Sequence, residues 1–151
     1  MQTDTLNTII DRAERQCRKN GARLTDKRKQ ALALLICSGK ALSAYELVDA
    51  YNKQVGGNLP AMSMYRILDF LTQQKFVHKL QLANKYVACE HINCEHEHTS
   101  SQFLICSKCQ KVKEFSVSEE AMLALNKNIE SSGFYLQSKQ LEMNCICENC
   151  L

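Results

Sequence analysis

The feature that most constrains this chain is a pair of C-x-x-C motifs, Cys106–Cys109 and Cys147–Cys150, with 37 residues between them. A C-x-x-C turn lets two thiolates hold one ion from a single side. Two such turns complete a tetrahedral shell with no open position, which is the structural type of zinc site. The tail must therefore fold back beside residue 106, and the interval has room for a helix and a strand. A redox pair would explain one turn but not a second at the end of the chain, where CENCL has little besides metal to hold it. A closed site of this kind contributes folding energy directly. The chain has 9 cysteines, and the odd number argues against complete internal pairing. In a reducing compartment metal ligation is the leading use of so many thiols.

The first 75 residues read as four helices. Leu6, Ile9, Ile10, Ala13 and Cys17 recur at helical spacing before a stop at Gly21. Thr25 is the N-cap candidate of a second helix through Leu32, Leu35 and Ile36, ending near Gly39. Ser43 and Glu46 form a capping box for a third, through Leu47, Val48 and Tyr51 to Gly56-Gly57. Pro60 helps open a fourth, carrying Tyr65, Ile67, Leu68 and Leu71. Cys17 and Cys37 are expected to be small buried apolar residues of these helices.

After Phe76 the period changes. VHKLQLANKYVAC reads as two short strands around Ala83-Asn84, with Val77, Leu80 and Leu82 against Tyr86 and Val87. Helices followed by a hairpin predict a winged helix, with the helix before the hairpin as the recognition element. The segment from Glu90 to Ser101 is rich in His, Glu and Cys and reads as a junction. Strands at Phe103–Ile105 and Val112–Phe115 follow. A helix capped by Ser118 comes next, with the stripe Met122, Leu125 and Ile129, ended by Gly133. A last strand runs over roughly Phe134–Met143. The expected class is α+β: a winged-helix domain over 1–88, a hinge over 89–101, and a small α/β domain over 102–151 stapled by zinc on four cysteines. We find no signal peptide and no run approaching a membrane span, so a cytoplasmic protein without membrane contact is expected.

Charge is segregated. Residues 1–90 carry 14 Lys and Arg against 8 Asp and Glu, while residues 91–151 carry 5 against 8. The front of the chain suits a polyanion and the back does not. A second metal group is also legible. His78 and Cys89 lie on the two strands of the wing, His91, His96 and His98 cluster in the junction, and Glu114 follows the first C-x-x-C turn. His78, Cys89, one junction His and Glu114 would tie the two domains through one ion. Two neutral imidazoles with an ionised thiol and carboxyl sum to −2, and mixed N, S and O ligands suit Zn²⁺.

In order, KRKQALALLI, SAYELVDAY, MYRILDFLTQQKFVHKL, NKYVAC, HTSSQFLICSKC and VKEF resemble the ferric uptake regulator family across nearly the whole chain. SAYELVD, FVHK, the Cys closing YVAC, and VKE are features of its zinc-responsive branch. The resemblance implies a homodimeric transcription factor that binds a palindromic double-stranded operator through the N-terminal domain and dimerises through the C-terminal one. It implies two Zn²⁺ per chain. Cys106, Cys109, Cys147 and Cys150 would be structural ligands. His78, Cys89, His98 and Glu114 would be regulatory ones, with His96 as the alternative to His98. It puts Ser63, Tyr65 and Arg66 on the recognition helix, and Arg28 is expected among the backbone contacts.

This chain departs from the family pattern at Ser63-Met64-Tyr65-Arg66, where a Thr usually opens the motif, and at Asp26, where a Pro usually follows Thr25. Cys94 and Cys145 are extra, and Cys145 makes the tail C-x-C-x-x-C.

The expected function is zinc-responsive repression of zinc-uptake genes, with zinc between the domains fixing a DNA-binding pose. An iron or peroxide sensor on the same scaffold and a zinc-stapled interaction module without DNA binding are the alternatives. No HExxH motif is present, and an enzyme is not expected.

Overall fold

The computed structural model describes residues 3–92 and 101–151, with Ser101 described in its backbone alone. The expectations placed on Cys94, His96 and His98 lie outside the described residues. The chain forms two compact units, Met1–Glu95 and His96–Leu151.

The first unit holds α1 (Thr3–Lys19), α2 (Asp26–Ser38), α3 (Ala44–Val55) and α4 (Ala61–Gln73), then β1 (Val77–Leu80) and β2 (Lys85–Ala88). The caps follow the sequence closely. Thr25 accepts from the backbone N–H of Arg28, and Gly39 closes α2 in the left-handed region. Ser43 and Glu46 make both bonds of the capping box. Pro60 stands at the N-cap of α4 with an extended ψ. The wing pairs antiparallel, and an isolated bridge between Leu42 and Tyr86 fastens it to the turn before α3. Cys17, Leu32, Leu35, Leu47, Met64, Leu68, Leu71, Phe76 and Val77 are among the buried side chains of one apolar core.

Two expectations are corrected here. Cys37 is exposed, not buried. The buried positions of α2 are Ala31, Leu32 and Leu35, and two residues beyond Leu35 the helix has turned Cys37 toward solvent. Leu82 is exposed and sits in the wing turn, because β1 ends at Leu80 and the four-residue turn carries its left-handed backbone at Asn84.

The second unit holds β3 (Ser101–Cys106), β4 (Val112–Ser116), α5 (Glu119–Ser131), β5 (Glu142–Cys145) and a terminal 3₁₀ turn (Glu148–Cys150). The sheet order is β4-β3-β5, antiparallel on one side of β3 and parallel on the other. Helix α5 is the crossover that carries the chain from one edge to the other. Its half-buried positions are Met122, Asn126 and Ile129, so Leu125 falls outside the expected stripe.

The last strand is shorter than the sequence suggested: residues 134–141 do not join the sheet. A side chain holds the approach instead. Gln102, fully buried on β3, donates from its amide to the carbonyl of Lys139 (3.0 Å) and accepts from the N–H of Leu141. Among the described residues no helix is long and apolar enough to cross a membrane.

Candidate metal centres and nucleic-acid surface

The β3–β4 turn presents Cys106 and Cys109, and the exit from β5 presents Cys147 and Cys150. The register Cys106↔Cys145 brings the two turns side by side. Ser107 fastens them further: its backbone N–H and its hydroxyl both donate to the carbonyl of Cys145, at 2.9 and 3.3 Å. Lys108 Nζ donates to the carbonyl of Cys150 at 2.8 Å. The four sulfurs of Cys106, Cys109, Cys147 and Cys150 all lie within 4.8 Å of one another. Cys109 Sγ and Cys147 Sγ are 3.7 Å apart. A tetrahedron with Zn–S bonds of about 2.3 Å has an edge of about 3.8 Å, so the donor set fits Zn²⁺ in size as well as in chemistry. Cys145 stands apart: its thiol is directed to the carbonyl of Met143 (3.6 Å).

The electrostatics of this cluster are those of a shell built around a cation. The backbone N–H groups of Cys109 and Cys147 converge on the Cys106 sulfur and pull its thiol down to about 6. The neighbouring sulfurs of Cys147 and Cys109 push the Cys150 thiol up to about 12. One thiolate is stabilised by the backbone, while at Cys150 the neighbouring sulfurs favour the protonated thiol. Four thiolates at this spacing need a dication to coexist.

On the wing, the pairing of His78 with Val87 continues to Phe76 opposite Cys89, whose N–H donates to the Phe76 carbonyl at 2.8 Å. Period-two alternation then puts His78 and Cys89 diagonally on one face of the ribbon. A ring nitrogen of His78 and the sulfur of Cys89 lie within 4.8 Å of each other. Cys89 is buried, and its sulfur accepts from the backbone N–H of His91 at 3.4 Å. In the second unit Glu114 stands on β4 opposite Phe103 and is buried, an unusual condition for a carboxylate.

The surface of the first unit collects the other expected residues on α4. Ser63 is half-buried in the first turn, and Arg66 is exposed one turn along. Tyr65 is half-buried: it packs on the core and also meets the ring of Tyr45 edge-on, with centroids 6.4 Å apart. Tyr45, 66% exposed at the start of α3, was not expected from the sequence to take part. Its signal is an aromatic placed on the polar side of a capped helix.

Arg28 is engaged within its own unit. Its guanidinium lies 3.6 Å from the centroid of the Phe70 ring and donates to the carbonyl of Arg23 at 2.7 Å. One amide fixes the entry to α4. Leu59 N–H donates to Asn52 Oδ1 at 2.8 Å and Asn52 Nδ2 donates to the Leu59 carbonyl at 3.4 Å, pinning the loop just before Pro60.

The second unit leaves much apolar surface uncovered. Phe134 and Tyr135 are 71% and 76% exposed, and Leu123, Leu125, Leu136, Met143 and Ile146 are also exposed. Helix α5 has no buried residue.

Comparison with known proteins gives a consistent result. The profile of the ferric uptake regulator family matches residues 19–150. The zinc uptake regulation protein of Escherichia coli (strain K12) is 34% identical over 151 residues, covering 100% of this chain and 86% of that protein. Among solved structures, a zinc uptake regulator complexed with zinc and DNA is similar with a TM-score of 0.81 at 30% identity. The match covers 99% of this chain and 96% of that one. The holo form of XcZur gives a TM-score of 0.76 at 35% identity, covering 95% and 97%.

Proposed function

The chain belongs to the ferric uptake regulator family, and on that premise we propose that it represses zinc-uptake genes in the cytoplasm when zinc is abundant. It is a zinc-responsive, DNA-binding regulator of the zinc-uptake type, and not an enzyme. It binds zinc.

In this reading each chain takes two Zn²⁺. Cys106, Cys109, Cys147 and Cys150 hold the structural ion. His78, Cys89, Glu114 and a junction imidazole, His98 or its alternative His96, hold the regulatory one. The observation that carries the second assignment is the wing register, which pairs an imidazole with a buried thiol on one face. A thiolate favours zinc over a hard, oxygen-seeking ion, which weighs against an iron or peroxide sensor. A buried carboxylate at Glu114 fits the remaining charge requirement.

Mechanistically, His78 and Cys89 belong to the winged-helix domain (1–88 with the first residue of the hinge), and Glu114 to the dimerisation domain (102–151). Ligands from both sides of the 89–101 hinge restrict the poses the two domains adopt. Zinc supplies the differential affinity that shifts the population toward the DNA-binding pose. Homodimerisation through the second unit is supported by its exposed Phe134, Tyr135 and Met143 and by β5 standing at a sheet edge. A two-fold dimer presents two recognition helices to half-sites about 34–36 Å apart on a palindromic operator. In this reading Arg66, exposed on α4, reads a base edge with Tyr65 and Ser63 beside it, and Arg28 supplies a phosphate-backbone contact.

The test is a zinc-buffered gel shift on upstream regions with the wild type, Cys89→Ser, His96→Ala and His98→Ala, alongside metal content per chain. The expected result is zinc-dependent binding that Cys89→Ser and only one of the two His variants lose, with the metal count falling from two to one. A tight Fe²⁺ response with zinc confined to one site per chain would refute the assignment.

A further inference from the structure

We infer that Met62 is a sequence-reading residue of the recognition helix, contacting the C5-methyl of a thymine in the major groove. The inference rests on the DNA-binding reading above and adds a specificity determinant to it.

Of the first four residues of α4, Met62 alone is exposed: Ala61 and Ser63 are half-buried and Met64 is buried. Met62 is 67% exposed. Residues in the first turn of a recognition helix are the ones that reach base edges. Tyr65 and Arg66 follow at i+3 and i+4, so Met62 shares their face of the helix. The other exposed large apolar side chains described in this unit are elsewhere or already engaged. Val55 ends α3, Leu82 is in the wing turn, and Tyr45 meets Tyr65 edge-on. The first turn of α4 carries no acidic residue, so nothing there repels phosphate.

The chemistry selects the contact. A thioether side chain has no strong donor or acceptor, so it cannot discriminate by hydrogen bonding. It is flexible and apolar, and it fills irregular gaps. Thymine is the base that presents an apolar group in the major groove. Met62 precedes Arg66 by four residues, about 6 Å along the helix axis. The methyl it meets therefore lies within about two base-pair steps, at about 3.4 Å each, of the base read by Arg66.

The test uses duplexes selected from a random-sequence pool by the zinc-loaded wild-type protein. The base pair read by Arg66 is located with Arg66→Ala, and each thymine within three pairs of it is replaced by deoxyuridine, which removes only the methyl. The expected result is one or two positions where deoxyuridine weakens wild-type binding about three- to fivefold, the effect of one methyl group. Met62→Leu keeps that discrimination. Met62→Gln, which keeps length without apolarity, binds the thymine duplex as weakly as the wild type binds the deoxyuridine duplex and no longer distinguishes the two. A Met62→Gln profile identical to that of the wild type would overturn the inference while leaving the zinc-dependent regulator intact. Failure of the zinc-loaded wild type to enrich any duplex would overturn both.

Discussion

The two units reach stability by different means. The first is a helical bundle with a wing whose interior is filled by Leu32, Leu35, Leu47, Met64, Leu68, Leu71 and Phe76. In the second, the described buried side chains are Phe103, Ile105, Cys106, Gln102 and Glu114, and helix α5 has half-buried positions at most. A small unit that cannot bury enough apolar surface needs a staple or a partner. The four sulfurs supply the first, and the uncovered Phe134 and Tyr135 point to the second. The first unit thus has an apolar core of its own, while the second presents a sulfur cluster and uncovered apolar side chains.

The sharpest way to break this contrast is to remove the staple. Cys147→Ser, or exhaustive chelation, is expected to unfold the second unit, since structural zinc contributes apparent binding energies of about 10–16 kcal/mol in small domains. Hydrogen exchange read by fragment should show protection lost over residues 101–145 and kept over α2 to α4. Retained protection in β3 after complete zinc loss would erase the distinction between the units.

The converse change is Leu47→Ala, at a fully buried site in α3. It should cost the first unit about 2–5 kcal/mol. Zinc content at the tetrathiolate should not change. A matching loss of zinc would mean that the units do not fold separately.

A smaller effect compares two amide clamps. Gln102 is itself fully buried, and Gln102→Leu removes its part-buried bonds to Lys139 and Leu141, so about 1–3 kcal/mol is expected. Asn52 is only half-buried, so water can reach the groups that Asn52→Ala leaves unbonded at Leu59, and that change should cost less. Denaturant titration of both variants orders them; a larger loss at Asn52 would contradict the reasoning.

The smallest effect is a pH dependence. The backbone N–H of Ser43 donates to the Glu46 carboxylate and, with Lys85, holds it below its ordinary value of 4.5. A group depressed in the folded state stabilises above its unfolded value, and that contribution is lost as pH falls through the folded value. Glu46→Gln should therefore lower stability near neutral pH by about 0.3–1 kcal/mol and flatten the loss between neutrality and acid. Thermal melts of both proteins at several pH values would detect it; an unchanged acid slope would remove the capping carboxylate from the account.

Much of this was legible in the chain. Caps at Thr25 and Ser43, glycine stops at Gly39 and Gly56, and the shift from helical to alternating period after Phe76 are local properties, and local chemistry decides them. The tetrathiolate was legible for a related reason: C-x-x-C spacing is itself a ligand geometry, so only the meeting of the two turns remained to be supplied.

What the fold alone decided were the long-range questions. The exclusion of Cys145 from the sulfur cluster follows from its β5 register against Cys106, which no spacing reveals. The tail segment at 134–141 kept an apolar pattern suited to a strand, yet the partner position beside β3 begins only at Glu142, and Gln102 satisfies the backbone before it. The stacking of Arg28 on Phe70, distant in sequence, was not legible in the chain. Periodicity and capping act over one or two turns and are written in order along the chain. Strand register, sulfur convergence and cation–ring stacking depend on which distant segments meet, and that is settled only when the apolar faces have found each other.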